Sequence, residues 1–119
     1  MKSRLVLPLA VALLALSAAP AFAHTHVRAI SIAENAILAA PPTNFTVAFT
    51  EPAAIANVTL ASGSGEPAPL NYHAPSGFAA SYQIPLPPLG PGAYTLAWRM
   101  IARDGHVMNN AVHFSVHAP

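Results

Sequence analysis

Proline is spread through this chain at a density that leaves little room for helices. There are 13 prolines in 119 residues, and each one inside a helix costs about 3 kcal/mol. They also fall at intervals that cut the chain into short pieces. Pro41-Pro42, Pro52 and the run Pro85, Pro87, Pro88 and Pro91 separate stretches in which apolar residues alternate with small or polar ones. Alternation with period two is the pattern of a half-buried strand. Phe45, Val47 and Phe49 share one face of 44–50, and Tyr94, Leu96, Trp98 and Met100 share one face of 93–102. Val112, Phe114 and Val116 are in phase near the C-terminus.

Further strands are expected at 24–32, 55–61, 67–73, 78–84 and 107–116. Glu34-Asn35-Ala36 reads as a turn, Pro52 ends a strand, and Asp104-Gly105 is a hairpin signal. The pattern predicts an all-β domain of about seven strands, a sandwich or a barrel.

Residues 1–23 have a different character. Lys2 and Arg4 precede the apolar run Leu5–Leu16, and Ala21-Phe22-Ala23 offers a small-x-small cleavage site. This is the pattern of an export signal, helical and then removed. The domain is therefore expected at 24–119. The leading apolar run falls short of the roughly 20 residues a membrane-spanning helix needs. Cleavage leaves three arginines (Arg28, Arg99, Arg103) against four acids (Glu34, Glu51, Glu66, Asp104). With no basic face, nucleic acid and anionic membrane are poor partners.

The chain has no cysteine and six histidines, all after residue 23. Disulfides, iron–sulfur clusters and thiolate copper centres are excluded. A metal would have to rest on His, Asp, Glu, Met or a terminal amine. Cleavage after Ala23 makes His24 the first residue, with an α-amine and a ring nitrogen that chelate together. Asp104-Gly105-His106 sets a carboxylate and an imidazole two residues apart, on one side of an extended chain. His24, Asp104 and His106 give three nitrogens and one oxygen, a set that suits Cu(II). His24-Thr25-His26 offers a second cupric mode through deprotonated amides, which a folded first strand opposes. His73, His113 and His117 read as structural or solvated, and Met100 and Met108 as core residues.

The chain resembles the CopC copper-resistance proteins over essentially all of 24–119. The likeness is carried by His24, Glu34-Asn35, Leu38-Ala39-Ala40-Pro41, Phe49-Thr50-Glu51-Pro52, Pro91-Gly92-Ala93-Tyr94-Thr95-Leu96-Ala97-Trp98-Arg99, Asp104-Gly105-His106 and Phe114-Ser115-Val116. The resemblance implies an Ig-like Greek-key β-sandwich and a periplasmic location. It implies Cu(II) on His24, Asp104 and His106, with Glu51 matching an acid near that site. It also implies no catalysis and a partner such as a CopD-like inner-membrane copper transporter or another copper-handling protein. Some family members carry a methionine-rich Cu(I) loop in mid-chain, but residues 54–90 here contain no methionine. One Cu(II) site and no separate Cu(I) site are expected. The alternatives are a copper monooxygenase with a histidine brace and a metal-free Ig-like module.

Overall fold

The computed structural model describes residues 25–118. The expected signal segment and His24 lie outside the described residues. Within them the chain is all-β, with seven strands: β1 (Val27–Ile30), β2 (Ala36–Leu38), β3 (Asn44–Ser62), β4 (Pro67–Ala68), β5 (Ala79–Pro85), β6 (Gly92–Ala102) and β7 (Val107–Val116). Among them no helix is long and apolar enough to cross a membrane.

The architecture turns on β3. Its first part, Asn44–Ala48, pairs with β5, and β1 pairs antiparallel on the other side at Val47–Phe49. Its second part, Ala53–Ser62, pairs antiparallel with β6, and its far end meets β4. β6 continues to β7, and β2 closes that side in parallel with β7. One strand thus passes from one layer into the other, as strands do at the corners of β-sandwiches. Pro52 does not end the strand, contrary to the sequence reading. It falls where the β5 ladder is interrupted, between Ala48 and Ala53. A missing N–H is harmless at such an irregularity.

The inner faces of the two layers form one core. Phe45, Val47, Ile84, Leu96, Met100 and Val112 are fully buried. The Phe45 and Trp98 rings meet across the interior with centroids 5.3 Å apart, and Phe49 meets Tyr82 edge-on at 6.1 Å. Trp98 is a core anchor, as its place in the alternating run of β6 implies. The buried Tyr82 hydroxyl donates to the Ala53 carbonyl at 2.6 Å, tying β5 to the corner of β3.

Two local readings change. The chain forms a three-residue strand, β2, directly after the expected turn. Asn35 takes a left-handed conformation (φ 64°) that lets the chain turn into it, one of the few residue types that does so readily. The β6–β7 connection is a hairpin, but with three loop residues. Gly105 N–H donates to Ala102 C=O at 2.9 Å, and Ala102 N–H donates to His106 C=O at 2.8 Å. Only Gly105 in this loop has positive φ, at 92°. That is a turn followed by a left-handed glycine; a two-residue type I′ turn needs two such residues.

The core gives a stability prediction. Phe45→Ala should lose about 3–5 kcal/mol, and Tyr82→Phe about 1 kcal/mol. Urea unfolding of the two variants checks the ranking; equal losses would contradict it.

Candidate metal centre

The β6–β7 loop presents its carboxylate and imidazole as a unit. Asp104 Oδ1 accepts the His106 backbone N–H at 3.0 Å. Asp104 Oδ2 lies 2.8 Å from His106 Nδ1. An ionised carboxylate only accepts hydrogen bonds, so the ring proton sits on Nδ1. In the neutral ring Nε2 then carries the lone pair. Orienting a histidine through its other nitrogen is the usual support for a metal-binding imidazole. Both side chains remain more than half exposed. The neighbouring Arg103 is engaged elsewhere, its guanidinium 5.4 Å from the centre of the Phe78 ring.

The pair borders a cavity of about 190 Å³ lined by Thr25, His26, Ala102, Asp104, His106 and Met108. The N-terminal segment is held there by β3. His26 N–H donates to Thr50 Oγ1 at 2.9 Å, and Thr50 N–H donates back to His26 C=O at 2.8 Å. Three residues further along β3, Ala53 pairs with Ala102 at the base of the loop. Thr25 is buried against this corner. Thr25 lines the cavity that Asp104 and His106 share.

The backbone bonds at His26 also bear on the second cupric mode. Wrapping the ion in deprotonated amides would take the His26 nitrogen, which is bonded to Thr50 Oγ1. The sequence reading gave His26 only a part in the second cupric mode and took Met108 as a core residue. The structure sets both in the cavity wall. The signal for Met108 was its spacing, two residues after His106 and four after Asp104.

The other candidates stand apart. Glu51 is exposed on β3 and is not among the residues lining the cavity. His73 lines a separate cavity with Ile55, Asn57 and Tyr72. His117 is exposed, with its N–H bonded to Leu38 C=O. His113 repeats the Asp104–His106 device with Glu34: Oε1 accepts the His113 backbone N–H and Oε2 lies 2.8 Å from Nδ1. It stands seven residues along β7 from His106, roughly 23 Å at strand spacing. Among the described residues, no three His, Asp or Glu side chains converge on one point.

With this geometry established, likeness to known proteins decides the family. The CopC domain model matches residues 27–117. The chain belongs to the CopC family. It is 33% identical over 109 residues to copper resistance protein C of Xanthomonas campestris pv. juglandis, covering 85% of this chain and 86% of that one. Among solved structures it is similar to CopC from Methylosinus trichosporium OB3b (TM-score 0.65, 17% identity, 80% of this chain and 95% of that one). It is also similar to PcoC, a methionine-rich copper resistance protein of Escherichia coli (TM-score 0.57, 26% identity, 79% of this chain and 99% of that one). The sandwich is thus the CopC fold, and copper is the metal that the family binds.

The Glu34–His113 contact gives a pH prediction. The His113 backbone N–H, then its ring, holds the Glu34 carboxyl below the usual 4.5. A carboxylate with a lowered folded-state pKa stabilises the fold above its unfolded value, and that help disappears as pH falls through the folded value. Parent and Glu34→Gln should therefore differ in Tm at pH 7 and converge as pH drops below 4.5. Thermal melts across pH 3–7 check this. The difference should be small at so exposed a site.

Proposed function

We propose that this protein captures Cu(II) in the periplasm and carries or sequesters it, through a single site made by His24, Asp104 and His106. Export and cleavage after Ala23 free the α-amine of His24. Its amine and ring nitrogens then chelate one ion together with His106 Nε2. Asp104 keeps His106 oriented, and its remaining lone pairs and negative charge face the dication. Three nitrogens and one carboxylate oxygen match the tetragonal preference of Cu(II).

The observation that carries this reading is the shared wall. Thr25, the residue after His24, lines the same small cavity as Asp104 and His106. Family membership supports copper as the cargo. Binding without catalysis is favoured by the carboxylate at the site and by the cavity's small size. A handover partner, such as a CopD-like membrane transporter, fits an exposed site from which the ion can be passed on.

Competition against a Cu(II) chelator tests the proposal. Asp104→Asn should weaken Cu(II) binding by about 10–100-fold, the range for groups that orient metal ligands, and His106→Ala by more. A chain that retains residues 1–23, whose residue 24 nitrogen is an amide, should compete poorly. Equal affinity of the parent and His106→Ala would refute the site, and equal affinity of cleaved and uncleaved chains would remove the amine from it.

A further inference from the structure

One edge of β7 is open over half its length. β7 pairs with β6 from end to end, but with β2 only at Phe114–Val116. Residues along an antiparallel strand turn their N–H and C=O alternately to one neighbour and to the other side. His113 turns its groups away from β6: its N–H donates to Glu34 Oε1 at 2.8 Å, and its C=O accepts the Asn35 N–H at 2.6 Å. The β6–β7 register runs without a shift from Gly92–Val116 to Ile101–Val107. Ala111, Asn109 and Val107 therefore face the same way as His113. Glu34, Asn35 and β2 cap this edge from His113 onward. Among the described residues no strand meets it at Val107–Val112.

An open edge is a template for another strand, and natural sheets guard theirs with charge, proline, bulges or short length. The opposite edge follows that rule: β1 has four residues and carries the exposed Arg28. The β7 window does not. Val107-Met108-Asn109-Asn110-Ala111-Val112 contains no charged residue, no proline and no glycine. The window also holds an unanswered donor. Asn110 and Trp98 are partners across the β6–β7 ladder. Among the described residues Asn110 Nδ2 and Trp98 Nε1 are both buried without a hydrogen-bond partner. A buried donor left unpaired is costly, so an acceptor brought to this stretch is rewarded.

We propose that β7 pairs antiparallel with β7 of a second copy of this chain, joining two sandwiches through one continuous sheet. Two identical antiparallel strands are related by a two-fold axis, so the window is its own complement. The outward N–H and C=O groups of Asn109 and Ala111 supply the hydrogen bonds of the new ladder. No charge stands in the window, so no like charges oppose across it. The second copy also brings a second Asn110 amide to the same stretch of the inner face. The terminal torsion of asparagine is broad, so each amide can turn and donate to the oxygen of the other. That reciprocal amide pair favours the chain's own copy over an unrelated extended peptide. The pairing needs no metal and does not rest on the cupric reading.

The test uses the cleaved chain with a metal chelator present. Sedimentation should show a monomer–dimer equilibrium at submillimolar protein. Hydrogen exchange followed by NMR should show the Asn109 and Ala111 amides protected at high concentration and released on dilution. The Ala111 N–H points out of the fold, a place where an edge strand accepts proline. Ala111→Pro should therefore stay folded and weaken dimerisation by about tenfold or more, since each copy loses a ladder donor. Ala111→Lys, which puts a guarding charge on the edge, should do the same, and Asn110→Ala should weaken the dimer as well. A chain that stays monomeric throughout, or a dimer in which the Asn109 and Ala111 amides exchange freely, would overturn the proposal. The exchange of the parent needs no variant, so a misfolded mutant cannot obscure it.

Discussion

The corner of β3 at Thr50–Ala53 is the constraint on which the rest of the molecule depends. A strand that stays in one sheet would leave the N-terminal segment and the β6–β7 loop on different layers. This strand crosses over. At Thr50 it still holds the first layer, through two hydrogen bonds to His26. At Ala53 it has joined the second, paired with Ala102. Three residues span at most about 10 Å, so the N-terminal segment and the β6–β7 loop meet there. Pro52 suits this crossing because the β5 ladder is interrupted between Ala48 and Ala53. The corner is braced from beneath by the Tyr82 hydroxyl on Ala53.

Above that corner the chemistry depends on a short loop. Gly105 takes the left-handed conformation that closes the β6–β7 turn. The turn folds the Asp104 carboxylate back onto both the backbone and the ring of His106. The imidazole is thereby held in direction, the pre-organisation that the proposed cupric site calls for. Both side chains are more than half open to solvent, which suits the exchange of an ion that the proposed function requires. The same carboxylate–imidazole device at Glu34 and His113 serves another purpose. It pins the approach to β2 onto β7, beside the Asn35–His113 backbone bond. A histidine gripped by a carboxylate is thus a structural unit in its own right.

Much of this was legible in the sequence, for reasons that differ by element. The alternation in 44–50 and 93–102 exposed the core directly, because a strand with one buried face repeats every two residues. Asp104-Gly105-His106 was legible because its spacing alone brings two donors together. β2 was not, since three residues carry too little pattern, and its partner is remote in sequence. The continuity of β3 through Pro52 was hidden because proline normally ends a ladder, and only the long-range pairing reveals that the ladder is already interrupted there. Met108 was read as core from its place on a strand. That was half right, because the strand begins at the cavity edge, and burial at a strand end is a tertiary property.

The central claim is that one cupric ion joins the start of the exported chain to the aspartate–histidine loop. Anomalous diffraction at the copper edge from crystals of the secreted, Cu(II)-loaded protein tests it most directly. The account predicts a chain beginning at His24 and a single copper peak bonded to its amine, its ring and His106 Nε2, with Asp104 beside the ion. A peak remote from the β6–β7 loop, or an exported chain that starts at another residue and still binds copper as tightly, would contradict it.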